Sequence, residues 1–439
     1  MVTLNRQILI FLLQFNSMKN KILFMLIILS VTASSCSGVK ETPAPTASAT
    51  TVPSKTITAT TRPTQTQSPS DTPAPTSTPL PLPVGPDEVP EGINPLTGLP
   101  ASDPSLLDLP PALVSISNSP CTARPQAGLS SSAWVYELYI GEGATRFLSV
   151  FYWDYPQDNI EGEPYLGPVR SGRLPYEKMR QLYRGFLVFA SASPRVLPFL
   201  DKYEILYGPD EEDVNDALIP IDKLRSLAEE YRLELGQPNP TGNRFDIAPP
   251  KEGKAGTKIW APYHYTAQSI WEYDQDLGSY LRYQDDCDGE TFIQATDRLN
   301  NEPLAYENVI MMFADVHFYD PTLFEIDLTF IKRYPAILFR DGVMQEIYWS
   351  TANQTYEQTT GLLRPIRFTD YDLNPIPLKP GQTWVEIIPR FTQYNETVDS
   401  MVYDELKAGQ EEGSGVWAFH IYPPAPEGLP QLWITPGSE

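Results

Sequence analysis

Arg124, Arg146, Arg170 and Arg173 sit close together in a chain of net charge −23, and each lies beside a turn-forming residue. The contexts are Arg124-Pro125, Gly143-Ala144-Thr145-Arg146 and Arg170-Ser171-Gly172-Arg173. A guanidinium keeps its charge and presents a planar fork of donors matched to carboxylate or phosphate. Arginines gathered at turns of an acidic protein, rather than scattered over helix faces, therefore point to recognition of an anion. Arg170 and Arg173 bracket Ser171-Gly172 just ahead of an expected helix, which can offer two forks and several helix N-terminal amides to one ligand. The competing reading is structural: one or both arginines pair with Glu137 or Glu142 and lock the fold. Glu137 and Glu142 are also candidates for a general acid–base pair, although no spacing rule sets their separation.

These side chains need strands and turns to position them. Residues 113–117, 133–140 and 147–153 read as strands, with Trp134, Tyr136 and Leu138 on one face of the second. Residues 175–183 and 220–233 read as helices, 186–190 as a buried strand and 196–202 as a further helix. Strands interleaved with helices predict a mixed α/β domain over 93–250. A stretch rich in Gly, Pro and Lys at 237–262 marks the boundary. Beyond it, runs at 280–283, 309–316, 324–330, 336–339, 344–349, 366–368 and 384–388 alternate with turns, and Asp341-Gly342 is a strong hairpin signal. That pattern predicts a mainly β domain over 263–390, an α+β chain as a whole, and an extension at 391–439 with one strand near 416–422. Trp271, Tyr280, Tyr283, Trp349 and Trp384 form either a sugar-binding face or, at strand spacing, a core. The acidic run Asp285-Asp286-Cys287-Asp288-Gly289-Glu290 lacks the ligand spacing of an EF-hand and reads as a hairpin turn.

The order and spacing of Ala123-Arg124-Pro125-Gln126-Ala127-Gly128-Leu129, Trp134-Val135-Tyr136-Glu137, Gly143-Ala144-Thr145-Arg146-Phe147-Leu148 and Leu166-Gly167-Pro168-Val169-Arg170-Ser171-Gly172-Arg173 resemble the YerB-like lipoproteins. This bacterial family carries the N- and C-terminal halves of domain of unknown function 3048. The opening Asn94-Pro95-Leu96-Thr97-Gly98-Leu99-Pro100 and the later Leu378-Lys379-Pro380-Gly381-Gln382-Thr383-Trp384-Val385-Glu386-Ile387-Ile388-Pro389 extend the resemblance. It implies an exported protein and names no reaction.

The N-terminus has its own logic. Met18-Lys19-Asn20-Lys21 is a basic segment, 22–31 is apolar, and Ala33-Ser34-Ser35 leads into Cys36. That is the layout of a secretory signal, and the cysteine at its end resembles a bacterial lipobox; the alternatives are a plain cleaved signal peptide or an uncleaved anchor joined to the apolar run 8–15. Residues 1–17 fit no part of such a signal and read as a misassigned upstream start, with 18–36 the signal peptide. Residues 37–92 are dominated by Thr, Pro, Ser and Ala, with too little apolar surface for a core. In polyproline II, at about 3.1 Å per residue, such a stalk reaches on the order of 100 Å. With Cys36 assigned to lipid, Cys121 and Cys287 are either a disulfide between the two halves or two separate buried thiols.

Composition narrows the function classes. A strongly acidic chain does not suit nucleic acid. The only histidines are His264, His317 and His420, there is no CxxC or Cys/His zinc spacing, and Ser171 lacks a nucleophile elbow. No metal and no cofactor are expected. The sequence thus predicts a protein anchored by lipid to the outer face of the membrane, binding an anionic envelope ligand or partner through Arg124, Arg146, Arg170 and Arg173. The alternative is a hydrolase or transferase acting on cell-wall polymers or phosphate-bearing precursors.

Overall fold

A computed structural model describes residues 83–141, 143–152, 164–210, 213–238, 242–320 and 323–421. Cys36, most of the stalk, Glu142 and the end of the C-terminal extension lie outside these residues. The strands that build the molecule are β1 (Ala112–Ser117), β2 (Trp134–Gly141), β3 (Ala144–Phe151), β4 (Phe186–Phe189) and β5 (Tyr203–Ile205) from the first half. The second half adds β6 (Lys258–His264), β7 (Ala267–Asp274), β8 (Ser279–Asp285), β9 (Asn308–Ala314), β10 (Tyr334–Arg340), β11 (Val343–Ser350), β12 (Arg367–Thr369), β13 (Thr383–Pro389), β14 (Gln393–Glu396) and β15 (Val416–His420). Helices α1 (Leu174–Tyr183) and α2 (Ile221–Leu235) carry most of the helical residues described.

The two halves do not form separate sheets. One eleven-stranded sheet runs β12-β11-β10-β9-β13-β2-β3-β1-β4-β5, with Lys254–Ala255 paired to β11. Its seam is β13, which lies parallel to β9 on one side and to β2 on the other. The change in composition at 237–262 therefore divides two sequence modules that share a single sheet. A second, seven-stranded sheet contains β8-β7-β6-β15-β14. Two of its strands come from residues 391–421, so the expected C-terminal extension is an integral part of the fold. Val416 to Ala418 pair in parallel with Lys258 to Trp260.

The fold is thus mainly β, and the mixed α/β layering expected for the first half gives way to strands of both halves in one sheet. The helix expected at 196–202 is absent. Pro198 sits in the opening positions of a short 3-10 turn at Leu197–Phe199, and the chain turns extended at Leu200 before it enters β5. Strand β6, hidden in the sequence by Pro262, was not expected either.

Alternation along β2 decides what lies on each face. Trp134, Tyr136 and Leu138 join a core with Tyr176, Met179, Leu182 and Tyr183 of α1. Val135 and Tyr139 face the opposite core, shared with α2 and the second sheet. Because β2 and β3 are covered on both sides, nearly every residue of the pair is buried. Polar side chains on these strands therefore lie in one of two buried layers. Trp271, Tyr280, Trp349 and Trp384 are all fully buried core residues, so they form no sugar-binding face.

Candidate functional site

Glu137 emerges from the middle of β2 toward the second sheet and is 1% exposed. It forms an ion pair with Arg282 of β8 at 3.2 Å. Thr145 donates to Glu137 at 2.7 Å, and Asn118 donates to Thr145 at 2.8 Å. Glu386 of β13 is the register partner of Glu137 on the adjacent strand. Its carboxylate accepts from the indole of Trp271 at 3.2 Å. Burial, reinforced by the neighbouring Glu137, holds the Glu386 carboxyl well above its ordinary range. Arg282 is the cation set against this pair, and its guanidinium stacks 4.9 Å from the Trp384 ring centroid and 5.3 Å from that of Phe147. Sequence reasoning missed both Arg282 and Glu386. The signal available was an acid inside the apolar run Trp384-Val385-Glu386-Ile387-Ile388.

Arg124 belongs to this same side. Its Nε donates to the Asn118 side chain at 3.1 Å and its NH1 to the Asp285 carbonyl at 2.8 Å. Asp285 also faces it as a carboxylate at 3.5 Å. Burial lowers the Arg124 pKa, and Asp285 opposes that shift. Next to it, Cys121 and Cys287 are joined in a disulfide. The same segment continues the tie, since Gln126 donates to the Ser117 carbonyl and the amide of Gly128 to Asp297. The acidic run at 285–290 is a hairpin turn as expected, with Asp288 accepting from the amides of Glu290 and Thr291.

The other three arginines meet on the opposite face. Arg146 of β3 is 3% exposed and donates through NH1 to the Ser171 carbonyl at 3.1 Å. Its Nε is buried without a hydrogen-bond partner, and so is the hydroxyl of Tyr176, in the first turn of α1. Burial, with Arg173 and Arg170 adding like charge, pushes the Arg146 guanidinium down to about 9. Arg170 is half-buried and donates to the Val214 carbonyl at 3.2 Å, and burial lowers its pKa as well. Arg173 is the N-cap residue of α1 and supplies no side-chain cap to the helix amides. Among the described residues, neither Arg146 nor Arg170 forms an ion pair with a carboxylate. Glu137, one of the two partners considered from sequence, is committed to Arg282 on the far side of the sheet; the other, Glu142, is outside the described residues.

The backbone around Arg170 to Arg173 is fixed from several sides. The Arg170 amide donates to Ser115, Ala190 donates to the Arg170 carbonyl, and the Gly172 amide donates to Ser191. Gly172 also allows close packing, because a Cβ there would lie 2.9 Å from Leu200 and 3.2 Å from the Phe189 ring. The result is a rigid loop holding two arginines beside a third, at the positive end of a ten-residue helix.

Residues 96–226 match the family described as "Protein of unknown function (DUF3048) N-terminal domain", and 259–385 match its C-terminal domain. The chain belongs to the DUF3048 family. It is 25% identical over 320 residues to the Bacillus subtilis protein named "Putative lipoprotein YerB", covering 69% of this chain and 88% of that one. The crystal structure of YerB from Bacillus subtilis superposes with a TM-score of 0.51 at 22% identity, over 68% of this chain and 96% of that one. The likeness extends to the fold. Among the described residues, no helix is long and apolar enough to cross a membrane.

Proposed function

We propose that this DUF3048 protein is an exported cell-envelope protein, anchored through lipid at Cys36, that binds an anionic envelope ligand or partner with Arg146, Arg170 and Arg173. The envelope assignment draws on the lipoprotein name of its Bacillus subtilis relative and on the basic–apolar–small–Cys36 order of the N-terminus. The observation that carries the binding reading is Arg146: a buried guanidinium set among two others, with no carboxylate pair among the described residues. A buried charge is normally paired or otherwise compensated, and an incoming phosphate or carboxylate would complete this one. Arg124 has a different role in this reading, holding Asp285 and the turn that carries the disulfide.

The hydrolase or transferase alternative has less support. Its acid–base candidate Glu137 is buried between the sheets and engaged by Arg282, Thr145 and Asn118. A general base must reach the proton it removes, and this carboxylate faces protein on every side.

Inorganic phosphate is the simplest probe of the site. Titration should give saturable binding that weakens with salt, and Arg170→Ala should reduce affinity by about tenfold or more, as expected for loss of a charged contact. Phosphate binding indifferent to Arg170 would sink the assignment. For the anchor, Cys36→Ser should abolish lipid labelling and membrane-fraction association, and persistence of both would refute lipidation at Cys36.

A further inference from the structure

The arginine cluster adjoins a second feature. A groove of about 590 Å3 begins at Leu174, the residue after Arg173, and runs along α1 past Glu177, Lys178 and Gln181. Its far wall includes Tyr319, Glu325 and Phe330. Phe199 closes one side, next to Leu200, which packs over Gly172 between the two arginines. The volume falls in the range of about 300–1,000 Å3 typical of small-ligand sites.

Three aromatic side chains stand out to solvent in this groove: Phe199 is 67% exposed, Tyr319 61% and Phe330 61%. Phe330 also holds a left-handed backbone (φ 58°), a conformation uncommon for a bulky residue. Exposed aromatics gathered in one concavity mark an interaction surface rather than stray apolar residues. The polar groups that share the groove's lining are carboxylates, an ammonium, an amide and a hydroxyl, from Glu177, Glu325, Lys178, Gln181 and Thr329. The carboxylates are already balanced, Glu177 by Arg180 and Glu325 by Lys178. Flat apolar faces together with neutralised hydrogen-bonding groups match a pyranose ring, which has a C–H face and a rim of hydroxyls. An acyl chain would waste the polar groups and leave methylenes in water along the open side.

We propose that this groove binds the saccharide portion of an anionic glycan whose carboxylate or phosphate sits among Arg146, Arg170 and Arg173. The proposal rests on the anion-binding reading above and adds the class of molecule that carries the anion. A local concentration of positive charge in an otherwise acidic protein selects the charged glycan, and the groove selects the sugar beside the charge.

The test uses the full chain and four probes in calorimetric titrations: a neutral tetrasaccharide of N-acetylglucosamine, a tetrasaccharide in which N-acetylmuramic acid supplies carboxylates, inorganic phosphate, and dihexanoyl phosphatidic acid. The carboxylated sugar should bind on the order of tenfold more tightly than the neutral one, the scale of one added charged contact. Phe199→Ala combined with Tyr319→Ala should weaken both tetrasaccharides on the order of tenfold while leaving phosphate binding unchanged. Arg170→Ala should do the reverse, removing phosphate binding and the advantage of the carboxylated sugar. The two aromatic side chains are solvent-exposed, so an unchanged thermal midpoint is expected for the double variant.

If the arginines bind phosphate but tetrasaccharide affinity ignores the aromatic substitutions, the groove assignment fails and the anion reading survives. If sugar binding depends on the aromatics yet nothing responds to Arg170→Ala, the anion reading fails and takes the glycan's charged half with it. Aromatic-dependent binding of phosphatidic acid without binding of either tetrasaccharide would overturn the saccharide class in favour of a lipid.

Discussion

The two faces of the β2–β3 pair handle buried charge in opposite ways. Toward the second sheet, Glu137 and Glu386 surround Arg282, and aromatic rings close around the guanidinium. Toward α1, Arg146 lies beside Arg170 and Arg173, with a carbonyl oxygen as its hydrogen-bond acceptor. The first cluster is closed on itself and holds the two sheets together. In the second, Arg146 and Arg170 have no carboxylate ion pair among the described residues. Adjacent residues Thr145 and Arg146 point into these two environments, so one step along a strand separates the staple from the candidate site. Arginine content therefore says little about function here: Arg124 and Arg282 are tied into carboxylate networks that join the two halves of the chain, while Arg146 and Arg170 have no carboxylate pair among the described residues.

The sharpest way to break this contrast is Arg282→Ala. Removing the guanidinium leaves Glu137 and Glu386 facing each other in a sealed layer, and breaking a buried pair costs about 3–5 kcal/mol. Denaturant unfolding should show a loss of that size, whereas a change under about 1 kcal/mol would mean that the cluster is not the staple described.

Glu386 sharpens the comparison through pH. Its folded-state pKa lies above that of an unfolded glutamate, near 4.5. Below that value both states hold the proton and the contribution to stability is fully present. As pH rises further, the unfolded chain releases its proton while the folded protein keeps it, so stability falls toward the folded pKa. One such proton gives a slope of about 1.4 kcal/mol per pH unit. Glu386→Gln should remove that slope, seen as the difference between the two proteins in unfolding free energy from pH 5 upward. Comparing variants is essential, because buried Glu307 is shifted in the same direction. Equal slopes in both proteins would show that Glu386 is ionised in the fold.

Much of the local structure was legible. Alternation placed Trp134, Tyr136 and Leu138 on one face, and Asp341-Gly342 correctly announced the turn between β10 and β11. What sequence could not supply was long-range pairing. Nothing local tells β13 to insert between β9 and β2, yet that insertion merges the two halves and sets Glu386 against Glu137. Periodicity failed where proline intervened, overcalling a helix at Pro198 and hiding the strand that contains Pro262. The arginines stood out in the sequence by their turns and their charge, but the face each occupies depends on the register of β3 and on the loop before α1. Arg124 could thus be grouped with Arg146 in sequence although the sheet lies between their roles.

On the α1 face the expected stability effects are smaller and of the opposite sign. Arg146→Met replaces a buried guanidinium, without a carboxylate pair among the described residues, by an apolar chain of similar length. Such replacements are often neutral or stabilising, so the anion-free protein should unfold at equal or higher denaturant, with a gain of no more than about 1 kcal/mol. A loss of several kcal/mol, like that expected for Arg282, would make Arg146 a second staple and erase the contrast.

Arg170 gives the smallest intrinsic effect and the clearest difference between the faces. It is half-buried, and its described side-chain contact is one hydrogen bond to the Val214 carbonyl. Arg170→Ala should therefore change anion-free stability by no more than about 0.5 kcal/mol. Added phosphate should raise the thermal midpoint of the unaltered protein by mass action, since a ligand bound only to the folded state stabilises it in proportion to its occupancy. The same addition should leave the Arg170→Ala protein nearly unmoved, and high salt should shrink the wild-type response by screening. Arg282→Met provides the control on the other face: it should lower the midpoint with or without phosphate while leaving the phosphate-induced increment intact. If both variants lose the increment together, the two clusters are energetically coupled through the sheet, and the division between staple and site does not hold.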